Sequence, residues 1–288
     1  MMQARTVRAN GLDVELFEAG GGDRLALCLH GFPEHPIAWR PHVATLVELG
    51  YRVWAPAQRG YGHTTRPRDI ADYRIARLLD DVAALIDAAQ AREVVLLGHD
   101  WGAAVAWFFA MRQLRPLDRL VIINMPHPAV FLACLRRSWR QRLRSWYIGA
   151  FQIPGLAEWA LGRDGAAPIA RLFQRSARDA PVVAADDLAT YRAQAAEPGA
   201  LRAMLAWYRA SARGGFAEQL ALGMPRITVP TCMLWGEDDV ALGKETTYGT
   251  AAYVDDLRLY YLPGVSHWAG QEAPQRVNAL LEHFLATA

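Results

Sequence analysis

Apolar and polar positions alternate at the start of the chain. Leu12, Val14 and Leu16 stand against Asp13 and Glu15, and Phe17 closes the run. A period of two predicts a half-buried strand. Leu25 to Leu29 is instead apolar throughout, the pattern of a strand covered on both faces. Similar runs recur at Tyr51 to Ala55, Val94 to Leu97, Leu120 to Ile123, Thr231 to Trp235 and Leu257 to Leu262. Between them the period lengthens. Ile75, Leu78, Leu79, Val82 and Ile86 share one face of a helix over 75–89, and 103–114 reads as another helix. Strands alternating with helices predict an α/β fold, a mostly parallel sheet flanked by helices on both sides.

The alternation stops after Asn124. Residues 129–223 read as helical, rich in Trp and Arg, with breaks at Pro154-Gly155, Gly162, Pro168, Pro181 and Pro198-Gly199. Strand character returns at Thr231. The pattern predicts a core domain of residues 1–128 and 225–288 and an inserted helical cap, or lid, of residues 129–224. In the first cap helix Leu132, Leu135, Trp139, Leu143 and Trp146 form one stripe. That stripe is expected to face the core. Arg136, Arg137, Arg140 and Arg144 then lie mainly on the other side, where a solvated face is expected in preference to one that docks a membrane or an anionic partner.

Composition narrows the class. A chain of 288 residues, 52% hydrophobic, can build one large core and carry an insertion. A net charge of +2 gives no reason to expect a nucleic-acid partner. Cys28, Cys134 and Cys232 are odd in number and lack zinc-ligand spacing, which fits a reducing cytosol. Met1 to Asn10 is too polar for a signal peptide. The longest strongly apolar run, Ala103 to Met111, is about half the ~20 residues that span a bilayer. A cytoplasmic protein without membrane insertion is the expectation; assembly as a homodimer is left open.

The chemistry starts at Gly98-His99-Asp100-Trp101-Gly102, between the strand 94–97 and the helix that follows. Glycines on both sides let the chain turn sharply, so that the central side chain stands alone above the sheet. This is the nucleophile elbow of α/β-hydrolases, with Asp100 in the place usually held by serine. A carboxylate there can displace at a saturated carbon and form an ester of the protein itself, which points to epoxides or alkyl halides. His267, on the small-residue turn after the last strand, is the candidate base. Its orienter lies in Trp235-Gly236-Glu237-Asp238-Asp239, where Asp238 and Asp239 compete and the spacing from Gly236 favours Asp239. The oxyanion hole is expected from the backbone N–H groups of Trp101 and Phe32, because Pro33 has none to offer. His30 and Glu34 are expected to hold that loop in shape.

The elbow, the loop His30 to Glu34, the turn Gly60-Tyr61-Gly62 and Ser266-His267-Trp268 together resemble the epoxide hydrolases of the α/β-hydrolase superfamily, over nearly the whole chain. The resemblance implies an α/β-hydrolase fold with a helical cap, a covalent hydroxyalkyl ester on Asp100, and no metal or organic cofactor. It also implies that Tyr147 and Tyr208 reach from the cap to bind the epoxide oxygen. The partners it implies are a small apolar epoxide and water. Ser266 replaces a common glycine before the histidine, and Ala103 replaces another after the elbow. Trp139, Trp146, Trp159, Trp207, Phe151 and Phe173 are expected to supply an apolar pocket. Two other readings stay open. A haloalkane dehalogenase would use the same aspartate. A non-catalytic ligand-binding protein on this fold would be marked by loss of a triad member, and none is missing.

Overall fold

A computed structural model describes residues 2–176 and 183–286, so Pro181 lies outside the described residues. One sheet holds β1 (Gln3–Ala9), β2 (Leu12–Ala19), β3 (Arg24–Leu29), β4 (Arg52–Pro56), β5 (Glu93–His99), β6 (Arg119–Ile123), β7 (Thr231–Gly236) and β8 (Leu257–Leu262). The order is β1-β2-β4-β3-β5-β6-β7-β8. β2 pairs antiparallel with β1 and β4, and the other pairs are parallel. β1 has no counterpart among the strands read from periodicity. Only its Val7 and Ala9 turn inward, and Arg5 and Arg8 face out. Its place is set by the hairpin at Asn10-Gly11, both at positive φ (48° and 74°), which closes it onto β2.

The interior strands bury both faces. Leu25, Leu27 and Leu29 of β3 join one apolar layer, and Ala26 and Cys28 join the other. The first layer is covered by α2 (Ile75–Ala89) and α3 (Trp101–Arg112). The second contains residues of α1 (Arg40–Glu48) and α12 (Pro274–Ala286), with the short α11 (Ala269–Glu272) before the latter. In this arrangement the carboxyl ends of β3, β5, β7 and β8 come together at one rim.

Between β6 and β7 the chain is helical: α4 (Pro128–Arg137), α5 (Trp139–Arg144), α6 (Trp146–Ala150), α7 (Leu156–Ser176), α8 (Ala185–Ala196), α9 (Ala200–Ala210) and α10 (Phe216–Ala221). The expected breaks at Pro154-Gly155 and Pro198-Gly199 separate helices. Gly162 and Pro168 flank a kink at Arg163–Ala166 inside α7. The insertion is tied down by Trp207 Nε1 donating to Arg59 O at 3.1 Å and Tyr191 Oη donating to Gln271 Oε1 at 2.9 Å.

The single amphipathic helix expected at 132–146 is not formed. Ser138 is extended (φ −107°, ψ 110°) and caps a new helix by accepting from Gln141 N at 3.2 Å. The restart changes the phase. Gln141 now faces inward, donating to Ala241 O and accepting from Gly243 N, both at 2.9 Å. Trp139, Leu143 and Trp146 are turned out and are 60%, 61% and 70% exposed.

One buried ion pair holds two parts of the insertion together. Arg209, at the end of α9, donates to Glu158 Oε1 and Oε2 at 2.5 and 2.9 Å and to Phe151 O at 2.9 Å. Its guanidinium is buried, so removing the carboxylate leaves a charge without its counter-ion. Glu158→Gln is expected to cost about 2 kcal/mol, below the full buried-pair penalty because Glu158 is partly exposed. A shift of the urea midpoint at unchanged slope checks this; an unshifted midpoint refutes it.

Candidate active site

Asp100 is the residue before α3 and sits at φ 48°, ψ −120°. Asp tolerates positive φ better than most side-chain-bearing residues. The turn also needs the glycines around it. A Cβ on Gly102 would lie 2.2 Å from Leu29 O, and one on Gly31 would lie 2.4 Å from Asp100 Cβ. The loop after β3 therefore reaches the elbow closely enough for Phe32 N to donate to Asp100 Oδ1 at 2.8 Å. Trp101 is the first residue of α3, so its N–H has no acceptor within the helix.

The turn after β8 brings His267 to the same place. Its Nε2 is 3.5 Å from Asp100 Oδ2, and its Nδ1 is 2.6 Å from Asp239 Oδ2. Of the two competing acids, Asp239 is the one that meets the imidazole. Asp239 also accepts from Ala241 N and Leu242 N at 2.8 Å and from Asn124 Nδ2 at 2.9 Å. Asn124 was not singled out by sequence reasoning. The signal was a polar residue ending an apolar strand beside β7. Its side chain locks the turn from both sides, because its Oδ1 accepts from Gly236 N at 3.0 Å.

The charges support one another. Burial pushes the Asp100 carboxyl up, but the hydrogen bond and charge of His267, with His99 and the Phe32 N–H, outweigh it. The group is held below the usual carboxylate range. Asp239 is likewise held low against its burial, first by the His267 charge. Burial pushes His267 down, yet Asp239 and Asp100 together hold its imidazole well above the ordinary histidine range. Both shifts favour a carboxylate beside an imidazolium.

The loop residues behave as expected. His30 Nε2 accepts from Gln58 N at 3.1 Å and its Nδ1 faces Gly31 O at 3.0 Å. Burial depresses it to about 4, so it is neutral and bound at both nitrogens. Glu34 Oε2 accepts from Gly31 N at 2.7 Å and faces His99 Nδ1 at 2.8 Å, while His99 Nε2 faces His267 O at 2.9 Å. Through His99 and Glu34 the Gly31 loop and the His267 turn share one buried polar chain.

Above Asp100 lies a cavity of about 410 Å³. Tyr147 and Tyr208 line it together with Asp100 and Trp101. Tyr208 meets Trp101 edge-on at 5.0 Å and Tyr147 at 6.1 Å between ring centres. Burial, then the Asp100 charge, raises both phenols far above the usual tyrosine range, so they stay protonated donors. The rest of the wall differs from expectation. Trp139, Trp146 and Trp159 are exposed, Trp207 packs against Tyr61 and Trp101, and Phe173 against Trp268. Phe151 packs on Phe32, Tyr147 and Tyr208 without lining the cavity. The wall is built by Phe108, Met125, Phe131, Leu132, Leu135, Phe216 and Leu220 instead. The helical phase change at Ser138 explains the loss of Trp139 and Trp146.

Residues 27–274 match the family model described as alpha/beta hydrolase fold. The chain is 36% identical to the AB hydrolase superfamily protein YfhM of Bacillus subtilis, covering 99% of this chain and 98% of the relative. It is 34% identical to Epoxide hydrolase 4 of Homo sapiens, over 97% of this chain and 77% of that protein. The crystal structure of Epoxide Hydrolase A from Mycobacterium thermoresistibile superposes with a TM-score of 0.85 at 30% identity, covering 100% of this chain and 99% of that one.

Proposed function

The chain belongs to the epoxide hydrolases of the α/β-hydrolase superfamily, and from that premise we propose how its own residues open an epoxide. One observation carries the proposal. The Asp100 carboxyl, which accepts from Phe32 N and faces His267, shares an apolar cavity with the phenols of Tyr147 and Tyr208.

Asp100 attacks a ring carbon of the epoxide, and the carbon–oxygen bond of the ring breaks. Tyr147 and Tyr208 hold the departing oxygen, and one of them gives it a proton. The product is a hydroxyalkyl ester of Asp100. Esterification removes a negative charge beside His267, and the imidazolium gives up its proton, which returns the tyrosinate to a phenol. Once neutral, it takes a proton from water, with Asp239 stabilising the cation. The hydroxide adds to the Asp100 carbonyl carbon, and the oxyanion rests on the N–H groups of Phe32 and Trp101. Collapse breaks the acyl–oxygen bond. His267 protonates the leaving alkoxide, the vicinal diol departs, and the proton of the new Asp100 carboxyl passes to His267, which restores the resting pair.

We take residues 129–224 as the cap and residues 1–128 and 225–288 as the core, because the phenols come from the former and the triad from the latter. The cavity suits an apolar, aromatic or medium-sized epoxide. A cytoplasmic site is supported by the free thiols of Cys28, Cys134 and Cys232. Among the described residues no helix is long and apolar enough to cross a membrane. The phenol pair favours an epoxide oxygen over a halide, which leaves without a proton. Tyr147→Phe or Tyr208→Phe alone is expected to slow ester formation by roughly 10- to 100-fold, and both together by about 10³-fold. Rapid-quench measurement with styrene oxide checks this. Unchanged ester formation in the double variant, or halide release from bromoalkanes without epoxide opening, would remove the assignment.

A further inference from the structure

The outward turn of the first cap helices leaves an apolar face uncovered. Trp139, Leu143 and Trp146 recur at i, i+4 and i+7, all more than half exposed. Trp159, a little further along, is 62% exposed. Monomeric proteins seldom leave several large apolar side chains together without a use for them. The chain segment that carries Trp139, Leu143 and Trp146 has charge of one sign. Five arginines occur between 136 and 144, and no acidic residue occurs from 119 to 157. Arg136, Arg137 and Arg142 make no ion pair among the described residues, and Arg144 reaches Glu245 only at 3.9 Å. Arg140 lies over the Trp139 ring, 5.7 Å from its centre.

We propose that this face docks on an anionic lipid bilayer surface. Charge complementarity names the occupant: unpaired guanidinium groups match lipid phosphates, while indoles and a leucine between them suit the boundary between headgroups and acyl chains. α5 and α6 do not span the bilayer; they lie on it. The expected solvated arginine face rested on the Trp stripe being needed inside, and the structure releases that stripe. The position has a consequence for the reaction. α4 and α6 carry Leu132, Leu135, Tyr147 and Ile148 in the cavity wall, next to the docking face. An apolar epoxide dissolved in the bilayer would then reach Asp100 over a short path. That consequence rests on the epoxide reading; the docking does not.

The test is flotation of the purified protein with vesicles of phosphatidylcholine, with and without phosphatidylglycerol. Binding is expected on the anionic vesicles, weakened by added salt, and absent on the neutral ones. Trp139→Gln with Leu143→Gln is expected to reduce binding about tenfold or more. Each of Arg136→Gln, Arg137→Gln and Arg140→Gln is expected to cost about fivefold. Unchanged hydrolysis of a water-soluble epoxide by these variants shows that the fold is intact. No flotation of the wild type, or equal flotation of wild type and variants, overturns the proposal. So does a dimer that the apolar variants dissolve while the wild type ignores vesicles, because the face is then covered by a second copy. A wild type that floats but opens no epoxide would leave docking standing and remove the catalytic reading.

Discussion

Asp100→Asn should lower kcat/KM for epoxide opening by roughly 10⁴-fold or more, with the fold unchanged. The amide keeps the size of the side chain and accepts positive φ, so the elbow at φ 48° is not the part that fails. What fails is nucleophilicity. Asp100 is the one carboxylate among the described residues that line the cavity. Asp239 and Glu34 are buried behind it, with their oxygens committed to backbone and side-chain donors. No neighbour can therefore take over the attack. Diol formation followed by chromatography, beside a thermal melt, gives the result. Activity within tenfold of the wild type would mean that water attacks the epoxide directly.

His267→Gln should separate the two halves of the cycle. Attack by Asp100 needs no base, so the first half proceeds. Hydrolysis of the ester loses its general base and slows by about 10²- to 10⁴-fold. The variant should consume one epoxide per enzyme in a burst and then stall. Intact mass should rise by the mass of one substrate, and peptide mapping should place the adduct on Asp100. The geometry makes the loss specific. Among the described residues, His267 is the one that meets both Asp100, at 3.5 Å, and the buried Asp239, at 2.6 Å. A variant that turns over slowly with no adduct would contradict the covalent route.

The parts of the fold legible in the sequence were those set by burial alone. Interior parallel strands such as β3 and β5 are apolar on both faces, so a continuous run announces them. The edge strand β1 buries too little to leave such a trace; its signal was the Asn10-Gly11 turn, a matter of backbone handedness. The cap was legible as helical but not in its facing. One extended residue, Ser138, rotates the following helix, and periodicity read across it assigns Trp139, Leu143 and Trp146 to the wrong side.

The site divides in the same way. Asp100 and His267 each follow a predicted strand closely, so local pattern was enough to single them out as candidates. Asp238 and Asp239 are neighbours on one turn; spacing from Gly236 favours Asp239, and the contact with His267 across the rim separates the two. Asn124, Glu34 and His99 act through partners far away in the chain, where no spacing rule reaches. The cavity wall likewise draws on 108, 125–135 and 216–220 together, a grouping made by chain return rather than by any one segment.

The covalent ester on Asp100 is tested most directly by following the oxygen atom. One turnover is run in water enriched in oxygen-18, with enzyme in excess over epoxide. A covalent ester requires the heavy atom to appear in the Asp100 carboxylate, read by mass spectrometry of its peptide, while the first diol stays light. A heavy diol and a light Asp100 would show direct hydration and contradict the covalent mechanism.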